Sequence, residues 1–79
     1  MITKHRAREI AYAWHGGGGS PLYQFASIGG IVLNPAHKAD LLHEIDGNIG
    51  HTLTLMGKGY TQRDYRALIA LRAYIEGRK

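Results

Sequence analysis

Four helix-start signals, spaced along the chain, constrain its fold more than any other feature of the sequence. Ser20 and Asn34 are each followed by proline, which joins a side chain that can cap free N–H groups to a φ suited to the first helical turn. Thr3 is a natural N-cap for a helix at the start of the chain. Thr61 and Asp64 form a variant of the capping box. These signals predict helices.

Apolar residues recur at helical spacing after each cap. The first helix is predicted over residues 3–15, and a short second one over residues 21–28, ended by Gly29-Gly30. The third begins at Asn34-Pro35 and either breaks near Asp46-Gly47 or runs on to about Leu53. The last spans about residues 62–76. The residues predicted to point inward are Ala7, Ile10, Ala11, Trp14, Leu22, Phe25, Ala26, Leu41, Leu42, Ile45, Ile49, Leu68, Leu71 and Ile75.

The predicted fold is all-α, a compact bundle of three longer helices and one short helix in a single domain over residues 1–79. An alternative exists for residues 52–55, whose apolar and polar side chains alternate as in a strand. They would pair with the apolar residues 31–33, although an isolated two-stranded pair is only marginally stable.

The glycine loop, His15 to Pro21 with the sequence HGGGGSP, is predicted to be a plain helix connection. A Walker-type phosphate loop follows a strand and carries a lysine after its glycines, and this loop does neither. Two alternatives stay open. The free N–H groups at the start of the second helix would suit an anion, and the glycines also resemble an engineered linker.

The chain has 79 residues and no cysteine, so no disulfide or thiolate zinc site reinforces its thin core. No apolar run approaches the roughly 20 residues that span a bilayer, and the N-terminus lacks the apolar stretch of a secretory signal. We therefore expect a soluble, unprocessed, cytoplasmic protein.

The histidines do not have the spacing of a metal site. Two histidines on a helix share an ion at a spacing of three or four residues, whereas His37, His43 and His51 are six and eight apart. We expect all three at the surface. His43-Glu44 with Asp46 would be a candidate acid–base site, but no nucleophile motif lies near it. The expectation is a protein without catalytic activity, metal or cofactor.

The predicted partner-binding surface begins on the first helix. Trp14 is expected to anchor the core, whereas Tyr12 lies on the opposite side, near Arg8, His5 and Glu9. Tyrosine and arginine are enriched at interface hot spots. Further cations lie on the last helix. The predicted contact residues are Lys4, His5, Arg8, Tyr12, Arg63 and Arg66.

Charge narrows the class of partner. Ten Lys and Arg residues against six Asp and Glu give a net charge of +4, which favours an acidic partner. Nucleic acid is the alternative, and its contacts would be directed to the backbone and sensitive to salt, because the last helix carries few side chains that read base edges.

Three runs carry a resemblance to a known group: residues 7–11 (AREIA), residues 14–17 (WHGG) and residues 22–27 (LYQFAS), with a leucine-rich last helix. The chain resembles small uncharacterised proteins encoded on bacterial conjugative elements and phages. The resemblance implies a mobile-element protein that occupies a host surface, as anti-CRISPR inhibitors do.

The functional hypothesis is thus a non-catalytic inhibitor that binds and occludes a host protein complex with an acidic or nucleic-acid-binding surface. The alternative is a basic accessory protein that binds nucleic acid. Self-association would also complete a thin core.

Overall fold

The chain forms four helices in a computed structural model, which describes residues 1–78. They are α1 (Lys4–Trp14), α2 (Pro21–Ser27), α3 (Pro35–Thr54) and α4 (Gln62–Glu76). The all-α prediction of three longer helices and one short one is confirmed.

Each helix begins at the cap that the sequence predicts. The side chains of Thr3, Ser20 and Asn34 each accept a hydrogen bond from the backbone N–H three residues further on. Thr61 and Asp64 form a reciprocal capping box, in which each side chain accepts from the other residue's backbone N–H. Helix starts are therefore determined locally in this chain.

Helix α3 continues through Gly47 and Gly50 to Thr54, so of the two alternatives the run to about Leu53 is confirmed and the break near Asp46-Gly47 is not found. The strand alternative for residues 52–55 is also wrong, and within residues 1–78 the structure contains no β-sheet, only an isolated backbone pairing of Met56 with Tyr60. Continuing the helix buries Thr52 completely, on the side of α3 that also buries Leu41.

The core lies where α1 packs on α2 and α3 packs along α4, with further contacts between α1 and α4 and between α2 and α3. Phe25 is fully buried, and Trp14 is partly buried and packs against the same cluster. The Cα radius of gyration, 11.7 Å, matches the roughly 12 Å of a compact domain of this length. The fully or almost fully buried apolar residues are Ala7, Ile10, Ala11, Leu22, Phe25, Ala26, Leu41, Ile45, Leu68, Leu71, Tyr74 and Ile75.

Candidate partner-binding site

The carboxylate of Glu44, on α3, binds both ends of the glycine loop. Its Oε2 accepts a hydrogen bond from the Gly16 N–H at 3.0 Å, and its Oε1 accepts one from the Leu22 N–H at 2.9 Å. Leu22 lies in the first turn of α2, where backbone N–H groups have no partner within the helix. The anion position at this helix start is thus filled by the protein's own carboxylate. The glycine loop is a structured helix connection.

Two more polar side chains of α3 bind the same pair of helices. Asn48 Nδ2 donates to the carbonyl of Trp14, the last residue of α1, at 3.0 Å. His37 Nδ1 accepts from the Leu33 N–H at 3.0 Å, and its Nε2 lies 3.3 Å from the Pro21 carbonyl oxygen. Since Nδ1 accepts, Nε2 carries the hydrogen and donates. We call His37, Glu44 and Asn48 the polar stripe of α3.

The position of His37 corrects the expectation that it lies at the surface. Only 6% of the residue is exposed. It lies four residues before Leu41 and therefore on the buried side of α3, and its hydrogen bonds compensate for the loss of water. His43 and His51 are exposed, as predicted.

Arg8 and Lys4, both predicted to contact a partner, pack against the end of α2. Arg8 Nε donates to the Ala26 carbonyl at 3.0 Å, near a helix end that leaves carbonyls without partners. Next to them Gly30 has φ +80°, and a Cβ built there would lie 2.8 Å from Lys4 Cγ and 3.0 Å from Arg8 Cγ. Arg8 therefore has a structural contact, and only the outer part of Lys4 is available to a partner.

Tyr12 lies in a small aromatic cluster that the reversal at the glycine loop creates. Its ring meets Tyr23 of α2 edge to face at a centroid distance of 6.1 Å, and Tyr23 also contacts His15 at 5.0 Å. Tyr12 is 44% exposed. His5 lies on the solvent side of α1, with Nε2 3.7 Å from a Glu9 carboxylate oxygen.

Arg63 and Arg66, the remaining predicted contact residues, lie on α4. With Arg6 of α1 they border a groove of about 270 Å³ between the two helices. We call it the arginine groove. Apolar side chains complete its lining, namely Ile2, Ile10, Ala67 and Ala70.

The guanidinium groups of the arginine groove are weakly engaged by the protein itself. Arg6 Nη1 lies 3.6 Å from a Glu9 oxygen in an exposed pair, and Arg66 Nη2 donates to the Gln62 side-chain oxygen at 3.1 Å. Within residues 1–78, no ion pair involves Arg63 or Arg66. Exposed pairs such as Arg6–Glu9 contribute about 0.5 kcal/mol, so all three cations can be recruited by a ligand.

A second cavity, of about 600 Å³, lies at the other end of α1. The rings of Trp14 and Tyr60 stack on each other at a centroid distance of 5.6 Å and an interplanar angle of 30°, and both line the cavity. His51 meets the edge of the Tyr60 ring at 5.3 Å, and Asn48 and Asp64 also line the cavity. We call it the aromatic cleft.

Arg72 adds an ion pair at the surface to the apolar contact between α3 and α4. Arg72 Nε donates to Asp46 Oδ1 at 2.7 Å and Arg72 also pairs with Glu76. The hydrogen bond from Arg72, with charge attraction, lowers the pKa of Asp46 below its ordinary value and raises that of Arg72, although burial opposes both shifts. Lys38 donates to the carbonyls of Glu76 and Arg78 at the end of α4. These cations serve the fold.

Five of the six predicted contact residues therefore lie on two sides of the molecule, and the sixth, His5, lies on the solvent side of α1. Lys4, Arg8 and Tyr12 face α2, whereas Arg63 and Arg66 join Arg6, which the sequence did not single out. A signal was present. Arg6 and Arg8 are two residues apart and so point about 160° apart on a helix. Tyr60 gave no such signal, because its contact with Trp14 depends on how the loop before α4 folds back.

Among residues 1–78, no group of three His, Cys, Asp or Glu side chains is arranged to hold a metal ion. Nor is any described helix both long and apolar enough to traverse a bilayer. Comparisons with family models, curated proteins and solved structures find no match to this chain.

Proposed function

We propose that this chain is a non-catalytic interaction protein and that the arginine groove is its main contact surface. The proposal rests on one observation, the grouping of Arg6, Arg63 and Arg66 around an apolar floor. Arginine combines charge, planar hydrogen bonding and apolar stem area, which makes it a frequent interface anchor.

The occupant that fits is a protein segment in which Asp or Glu residues flank one or two apolar side chains. Carboxylates would pair with the guanidinium rim, and the apolar side chains would cover Ile2 and Ile10 on the floor. The groove runs between two helices, as grooves that accept an amphipathic helix do. A net charge of +4 would also speed the encounter with an acidic surface.

The resemblance to proteins of mobile elements suggests a host partner in the cytoplasm, and bound there the chain would inhibit by occlusion. Of the two host surfaces expected from the sequence, the acidic one suits an arginine rim, because a surface that binds nucleic acid is itself basic. Pairing of two copies groove to groove is disfavoured for the same reason, since three arginines would face three.

Selection from a displayed library of random peptides tests the proposal. We expect enriched peptides to carry Asp or Glu beside apolar residues, and Arg63→Glu to weaken their binding about tenfold or more. Lys58→Glu is the matched control, because it makes the same charge change at an exposed loop residue outside the groove. Amide chemical shifts on binding should map to the groove.

Two outcomes would contradict the proposal. One is enrichment of peptides without acidic residues, or equal loss of binding in both variants. The other is binding to duplex DNA or RNA that weakens steeply between about 50 and 200 mM salt and is lost in Arg63→Glu, which would support the nucleic-acid alternative.

A further inference from the structure

The aromatic cleft differs from the arginine groove in charge as well as in shape. The groove is lined by three arginines and no acid, whereas the cleft is lined by one carboxylate, Asp64, and no lysine or arginine. Its volume of about 600 Å³ lies within the roughly 300–1,000 Å³ of small-ligand pockets. Although the chain has a net charge of +4, the lining of this cleft favours a cation.

Rings form the walls of the cleft. Trp14, partly buried, stacks on Tyr60, and His51 adds an imidazole at the Tyr60 edge. The face of an indole or phenol ring attracts a cation through its quadrupole, and tryptophan is the strongest of the aromatic residues in this respect. A cation held there is attracted without a fixed coordination geometry.

Asp64 supplies the charge. Its Oδ2 accepts from the Thr61 N–H at 2.8 Å and lies 3.2 Å from the Thr61 hydroxyl, so the capping box engages one oxygen. This arrangement leaves Oδ1 for a ligand and holds the carboxylate in a fixed rotamer at the start of α4. A carboxylate that is already positioned loses little freedom when a ligand binds.

We propose that the aromatic cleft binds an organic cation, of the class of a guanidinium or a quaternary ammonium group. The cation would lie against the aromatic lining formed by Trp14 and Tyr60, in the cavity that Asp64 also lines. The inference does not depend on the function proposed for the arginine groove, because the two cavities share no lining residue.

Trp14 is the chain's one tryptophan, so its fluorescence reports directly on the cleft. Titrations with arginine amide and with choline, at constant ionic strength and about pH 8, where histidine is ordinarily neutral, should each change it saturably. We expect dissociation constants on the order of 1 mM. The uncharged carbon isostere of choline should bind about tenfold more weakly, and the stronger of the two cations identifies the ligand type.

Variants separate a binding role from a structural one. Asp64→Asn should weaken cation binding about threefold or more, and Asp40→Asn, an exposed carboxylate of α3 outside the cleft, should not change it. Tyr60→Leu should abolish binding and Tyr60→Phe should retain it. Circular dichroism confirms that each variant folds.

Three results would overturn the proposal: no saturable change with either cation, equal binding of the isostere, or equal loss in the Asp64 and Asp40 variants. Saturable binding of adenosine that exceeds that of both cations would overturn it as well, since a nucleobase stacks without needing the carboxylate.

Discussion

Helix α1 uses arginine differently on its two sides. On the side that faces α2, which we call the closed side, Arg8 donates to the Ala26 carbonyl and packs near Gly30. On the side that faces α4, the open side, Arg6 borders a groove with Arg63 and Arg66. Residues of one type, two positions apart, therefore stabilise the fold in one case and remain available to a ligand in the other.

The difference arises from what lies opposite each side. The closed side faces helix ends and a loop, whose backbone groups need hydrogen-bond partners. Besides Arg8, the three side chains of the polar stripe of α3 supply such partners. The open side faces the first half of α4, residues 63–70, where the helix start carries its own capping box. Arg8 is therefore used to satisfy a helix end, whereas Arg6 has no such backbone partner within residues 1–78 and stays exposed.

We expect the largest loss of stability from replacing Glu44, which tests whether polar contacts hold the closed side. Replacing it with alanine removes the acceptor of the Gly16 and Leu22 N–H groups, and we expect a loss of about 3 kcal/mol in the free energy of unfolding. Urea unfolding followed by circular dichroism measures it.

Asp40→Ala provides the control, as an exposed carboxylate on the same helix. It should cost about 0.5 kcal/mol or less. Equal losses in the two variants would mean that the closed side is not held by its polar contacts.

A pair of glycine substitutions should shift stability in opposite directions. Gly30→Ala places a side chain at φ +80° and against Lys4 and Arg8, so we expect it to destabilise by about 2 kcal/mol. Gly50→Ala, within α3 and with nothing near its Cβ position, should stabilise by about 0.5–1 kcal/mol. Thermal unfolding of the two variants compares them, and the same sign in both would be inconsistent with a packed Gly30.

We expect the smallest change in stability from the Asp46–Arg72 pair, which joins α3 to α4 at the surface. The folded state lowers the pKa of Asp46, so the pair contributes above the pKa of the unfolded carboxyl, near 4, and the contribution is lost as the pH falls through the lower folded value. Because both side chains are partly exposed, Asp46→Asn should cost about 0.5 kcal/mol at neutral pH.

Urea denaturation of wild type and Asp46→Asn at about pH 7 and pH 3 measures this contribution. The difference in the free energy of unfolding between the two proteins should be smaller at the lower pH. Asp40→Asn should show no such change. A difference that grows on acidification would contradict the assigned direction.

The helix starts and the apolar side of each helix were predictable, because caps and periodicity act over a few residues. Thr61 with Asp64 gave the start of α4 correctly. The burial of His37 was not predicted, although His37 lies in register with Leu41, because its contact with the Pro21 carbonyl depends on how α2 packs against α3.

The candidate site was predicted only in part. Arg63 and Arg66 lie on the arginine groove, but their grouping with Arg6 depends on how α1 packs against α4. The aromatic cleft was not predicted, since Trp14 and Tyr60 are brought together by two loops and not by spacing within one helix. Local rules do not determine such long-range contacts.

The anchoring of the glycine loop has a consequence for protein engineering. Its fixed points are Gly16 and Leu22, held by Glu44, and Gly18 and Gly19 between them have no atom near their Cβ positions. Loop closure depends only logarithmically on length, about 0.6 kcal/mol for each doubling. An affinity tag or a fluorescent-probe site inserted between Gly18 and Gly19 would leave both anchors, and both candidate binding cavities, in place.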